Sequence, residues 1–144
     1  MSITWFDGLL LQRQDAGIYF LPDDDIDELA EAAAVNRFAC LRVDLRGCAD
    51  KASLLARLAH SLPLPAHMAH NWDALADALG EMRGGDVSGV VLLLEHSGAL
   101  RREATEDFKR AMEVLQGACR EWAARGVPFW AFVALPDEEF DALA

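Results

Sequence analysis

Residues 88–95 read Ser-Gly-Val-Val-Leu-Leu-Leu-Glu (SGVVLLLE), an unbroken apolar run from Val90 to Leu94 closed by a single acid. A strand with one wet face alternates apolar and polar residues, whereas a strand buried on both faces does not. This run therefore predicts a central strand of a parallel sheet with helices on both sides. The rest of the chain alternates in the same sense.

Towards the N-terminus, Arg83-Gly84-Gly85 ends a helix that starts at Asn71, a good N-cap residue, with Leu75, Leu79 and Met82 as its inner stripe. Before it, Leu54, Leu55, Leu58 and Leu62 mark one face of a helix from about Ala49 to Leu62, ended by Pro63 and Pro65. Phe38–Leu45 (FACLRVDL) reads as a strand, and Gly47 breaks it. Ile18–Leu21 reads as a shorter strand, followed by Pro22 and three aspartates. Asp25 and Glu28 have capping-box spacing for a helix ending near Asn36, with Ile26, Leu29, Ala30 and Ala33 inward. Residues Thr4–Gln12 fit a short helix or a strand equally well.

Towards the C-terminus, Thr105 is placed to cap a long helix through Arg125, on which Phe108, Met112, Leu115, Cys119 and Trp122 recur at helical spacing. Gly126 suits a left-handed cap, and Pro128 prevents continuation. Phe129–Leu135 makes the last strand, and an acidic tail follows from Pro136. The expected fold is α/β: a small parallel β-sheet of three core strands, with a fourth if the N-terminal segment joins, and helices packed around it.

The 144 residues hold 24 acids and 13 Lys or Arg, a net charge of -11, and 53% are hydrophobic. One folded domain is expected. The acidic balance argues against direct nucleic-acid binding and against docking on anionic membranes, since both need clustered basic residues. A basic protein partner stays open. Asp7, Arg13 and Asp15 interrupt any signal-like start, and the longest apolar run, Val127–Leu135, is too short to span a bilayer. Cys40, Cys48 and Cys119 have no metal-type spacing and suit reduced thiols. A cytoplasmic protein is expected.

The chemistry concentrates in residues 62–80, LPLPAHMAHNWDALADALG. Asp73 and Asp77 lie four apart, so a helix projects both from one face. By itself such a pair is an ordinary solvated face. From Leu58 to Met82, however, there are three acids and no Lys or Arg, so nothing local neutralises them. That suits a site for a cation-rich surface. A glycosidase pair is disfavoured, because adjacent turns of one helix give both groups the same environment.

His60, His67 and His70 invite a metal reading with Asp73. An Asn71 cap leaves His67 and His70 in the preceding loop, and no HExxH pattern occurs, so a structural or interface role is preferred and no metal or cofactor is expected. Ser88 and Ser97 lack the context of a nucleophile, and the glycines around 84–89 make no phosphate loop. Cys119 sits on an apolar stripe. No catalytic residue is expected.

The string LPxxxxxNxDALxDAL, here Leu64, Pro65, Asn71, Asp73, Ala74, Leu75, Asp77, Ala78 and Leu79, resembles the inhibitory loop and helix of the barstar family of intracellular ribonuclease inhibitors. The strand ending at Glu95, Arg120-Glu121 and Arg125-Gly126 extend the likeness over about residues 37–135. The resemblance implies an inhibitor module there; outside it the residues themselves give an N-terminal β-α extension (1–36), expected to pack on the same domain, and a short acidic tail (136–144). It implies a monomer that blocks a basic, barnase-like ribonuclease in a one-to-one complex, its carboxylates standing in for RNA phosphates. Asp73, Asp77 and Glu121 would be the acidic contacts, with Asn71 and Trp72 shaping the start of the helix.

Four contact positions depart from the family pattern: His67 and Met68 replace loop aromatics, Ala69 replaces glycine, and Ala76 replaces the tryptophan between the aspartates. These changes alter the apolar anchors that set specificity. Two alternatives follow: a barstar-fold interaction or regulatory module without nuclease inhibition, and a metal-assisted hydrolase. Charge placement bears on the first reading. Residues 1–36 carry eight acids and one base, the last nine residues carry four acids, and residues 37–135 carry twelve of each. The case for a basic partner is therefore local, with bulk acidity adding only salt-screened steering.

Overall fold

A computed structural model of the protein describes residues 16–62, 71–82 and 88–139. In chain order the elements are β1 (Ile18–Pro22), a 3-10 turn (Asp23–Asp25), α1 (Ile26–Val35), β2 (Ala39–Asp44), α2 (Lys51–Ser61), α3 (Trp72–Glu81), β3 (Val90–Glu95), α4 (Gly98–Glu103), α5 (Thr105–Ala124) and β4 (Phe129–Leu135). The four strands form one parallel sheet in the order β1-β4-β3-β2. The N-terminal segment does supply the fourth strand. Ile18 of β1 faces Ala131 of β4, while Cys40 of β2 faces Val91 of β3.

Successive strand residues point to opposite faces, and the sheet builds two cores accordingly. Val90, Leu92, Leu94, Phe129, Ala131 and Val133 meet α2, α3 and α5 through Leu54, Leu58, Leu75, Leu79, Leu115 and Trp122. Val91, Leu93, Trp130 and Phe132 meet α1 through Ile26, Leu29 and Ala33. Val90 to Leu94 are all buried, as the apolar run predicts. Each fully buried Leu or Val contributes roughly 1.5–3 kcal/mol, so the central strands dominate cohesion.

The helix ends follow the sequence reading at Asn71 and Gly126, depart from it at Asp25 and Thr105, and add a cap at Asp50. Asp50 caps α2 by accepting from the Ser53 N–H at 2.8 Å, and Asn71 caps α3 by accepting from the Ala74 N–H at 2.8 Å. Gly126 (φ 80°) closes α5: its N–H donates to Ala123 and that of Val127 to Trp122, as in a Schellman motif. Asp25, by contrast, makes no side-chain cap bond. The three aspartates form a 3-10 turn, which leaves Asp25 in helical geometry, and its carboxylate accepts no bond from the first turn of α1. Thr105 is not a cap either. The short α4 precedes it, and its hydroxyl donates to the Arg101 carbonyl at 2.8 Å, one turn back.

At the carboxyl ends of β2 and β3, Arg42 binds both oxygens of Glu95 (2.9 and 2.8 Å) and also Asp27 of α1 (2.9 Å). His96 follows in left-handed geometry (φ 56°). Its N–H donates to Asp23 at 3.3 Å, and its Nδ1 lies 2.9 Å from Asp44. These contacts tie residues 23–27 to the central strands. Burial raises the pKa of Asp23, while Arg46 and His96 lower that of Asp44. In the tail, Glu139 pairs with Arg101 and Arg102 over Gly98.

Cys40, Cys48 and Cys119 are free thiols, and burial pushes Cys119 up to about 11, consistent with an inert core group. Among the described residues, no helix is long and apolar enough to cross a membrane. Residues Thr4–Gln12, the Pro63/Pro65 and Arg83-Gly84-Gly85 stops, and the loop positions His67, Met68, Ala69 and His70 lie outside the described residues.

Candidate functional site

The site is built where α3 packs on α5. Leu75, Ala78 and Leu79 turn α3 inward, so Asp73 and Asp77, on the remaining face, are exposed. On α5, Trp122 faces the core and the preceding Glu121 faces water. The crossing of the two helices then makes neighbours of residues far apart in sequence. Asp77 and Glu121 both line two open grooves, one with Ala76, Arg110, Glu113 and Gly117, the other with Gly80, Glu81 and Arg125.

Three contacts hold α3 against α5. The Trp122 indole N–H donates to the Leu79 carbonyl at 3.0 Å. The Arg125 guanidinium donates to the Gly80 carbonyl at 2.6 Å and lies over the Trp122 ring, 4.4 Å from its centroid. Glu121 in turn rests across Gly80. A Cβ built on that glycine would come 2.3 Å from Oε2 of Glu121. The absence of a side chain at 80 is what lets the carboxylate lie there.

Electrostatically the site is acidic and unspent. Arg110, in the first groove, is already paired with Glu113 at 2.8 Å. Asp73, Asp77 and Glu121 form no ion pair among the described residues. Carboxylates held without counter-ions are available to cations brought by another molecule.

Of the residues expected from sequence, Asp77, Glu121 and Ala76 come together at one groove. Asp73 stands a turn nearer the start of α3, exposed, and Asn71 fixes that start as its cap. Trp72 is half-buried against the core, with Lys51 Nζ 5.6 Å from its ring centroid, so it braces the helix against α2. His67, Met68 and Ala69 lie outside the described residues. Two participants escape the sequence reading: Gly80, and Arg125, one helical turn after Glu121. The i, i+4 spacing of Glu121 and Arg125 is the signal that could have found the second.

No curated protein matches the chain. Residues 38–134 match the family model described as barstar (barnase inhibitor), which covers well over half of the sequence and every element from β2 to β4. With the four-stranded parallel sheet and the α3–α5 site in place, the chain belongs to the barstar family, a family of inhibitors.

Proposed function

We propose that this chain is a non-enzymatic, cytoplasmic inhibitor that binds a basic ribonuclease one to one and covers its active site. The observation that carries this reading is the meeting of exposed Asp77 and Glu121 across the α3–α5 groove, neither of them paired among the described residues. Carboxylates contributed by two packed helices keep a fixed spacing, as phosphates on an RNA backbone do. A nuclease surface evolved to hold those phosphates offers Arg and Lys at matching positions, and charge-assisted bonds to a rigid acceptor set are strong. Asp73 adds a third acceptor at the start of α3. Inhibition follows from occupancy, because RNA and the inhibitor compete for the same cations.

The test is a titration of barnase-catalysed RNA cleavage with the wild-type chain and with the Asp73→Ala/Asp77→Ala double variant. Inhibition by wild type and its loss in the double variant, with unchanged thermal unfolding, are expected. Absence of inhibition by wild type of barnase and of a panel of other basic ribonucleases would overturn the reading. Binding of barnase without inhibition would instead favour an interaction module that leaves the active site open.

A further inference from the structure

Among the acids of the second groove stands one cation, and its position is constrained. Arg125 lines the groove with Asp77, Gly80, Glu81 and Glu121. Its guanidinium is held twice, by the bond to the Gly80 carbonyl and by the face of Trp122, whose own N–H is fixed on Leu79. Swinging it away would forfeit both contacts. A guanidinium has five N–H donors, and Arg125 forms no ion pair among the described residues. Most of its hydrogen-bonding capacity therefore points at water.

From this arrangement we infer that Arg125 is a specificity determinant, and that the partner places a carboxylate beside the basic groups that take Asp77 and Glu121. The inference rests on the inhibitor reading above and names the partner surface more closely. A partner that covers Asp77 and Glu121 also covers the groove they share with Arg125. Water is then expelled from the guanidinium, and a buried cation without an acceptor is costly. A uniformly basic partner surface would set its own cations against Arg125. A surface with an Asp or Glu next to its Arg and Lys residues satisfies both signs at once and rejects nucleases that lack the acid.

The test compares Arg125→Gln with Arg125→Glu for inhibition of barnase, with Asp77→Ala alongside. Gln and Glu have nearly the same shape, and both lose the guanidinium and its contact with the Trp122 ring. What separates them is the negative charge of Glu against the neutral amide of Gln. If the partner offers a carboxylate, Arg125→Glu inhibits about tenfold or more weakly than Arg125→Gln. Equal inhibition by the two variants, or stronger inhibition by Arg125→Glu, overturns the inference, while a persisting loss in Asp77→Ala leaves the inhibitor reading standing. Failure of the wild-type chain to inhibit barnase and a panel of other basic ribonucleases overturns that reading and this inference with it.

Discussion

The indole N–H of Trp122 donates to the main-chain carbonyl of Leu79 at 3.0 Å, so the helix that carries Glu121 is pinned to the end of the helix that carries Asp77. Among the described residues a second bond to that carbonyl, from the Met82 N–H, is longer at 3.4 Å. Trp122→Phe removes the donor and part of a buried ring. A loss of about 1–2 kcal/mol is expected in urea unfolding, together with weaker ribonuclease inhibition. Unchanged stability would show that the bond does not hold the pair.

Gly80 separates stability from binding. Alanine favours a helix interior over glycine by up to about 1 kcal/mol, and the added Cβ meets only the far end of a flexible side chain, that of Glu121. Gly80→Ala should therefore keep or raise the melting temperature while displacing the carboxylate and weakening inhibition. Parallel loss of both would mean that the backbone, and not Glu121, had moved.

Acidity as such is not the mechanism, and a charge-matched pair of variants tells the two apart. Asp77→Ala is expected to weaken ribonuclease binding by about 2 kcal/mol or more, whereas Glu28→Ala on the exposed side of α1 should stay within about twofold. Calorimetry in moderate salt measures both. Equal effects would refute the assignment of the site.

How much of this could be read from the chain depended on the range of the interactions. The apolar run of β3 gave the layered architecture, because nothing but burial on two faces tolerates five consecutive apolar residues in a strand. Asn71 marked the start of α3 through a local bond that needs only three residues. The turn of helix before Thr105 was missed: α4 is six residues long and has too few turns to show a period. The capping box failed for the related reason that three adjacent aspartates offer three competing starts. In the site, Asp73 and Asp77 were legible as neighbours on one helix. The approach of Glu121 to Asp77 depends on how two helices cross, and its sequence signal came only through the family resemblance.

The pH dependence of stability has an identifiable contributor in Asp23. Burial raises its pKa, so the folded state holds this proton over a range where the unfolded chain, with an aspartate near 3.9, has released it. Its contribution therefore turns unfavourable as pH rises through that window and stays so at neutral pH. Asp23→Asn keeps an acceptor for the His96 N–H and removes the charge. A higher melting temperature at pH 7, with the gain vanishing below about pH 4, is the expected result. A gain that persists at low pH would point to a cause other than ionisation.

The pairing of Ile18 with Ala131 joins the first described strand to the last. Such a pairing closes a loop that spans nearly the whole chain, and its entropy must be met before any contact repays it. On the ribosome, β1 emerges early and finds its neighbour only when synthesis reaches β4. Until then its own edge has no partner, and the α1 face has only the β2–β3 side of the sheet to cover. The order of strands thus makes the completed sheet a check on the length of the chain: a product cut short before residue 129 lacks β4, which lies between β1 and β3.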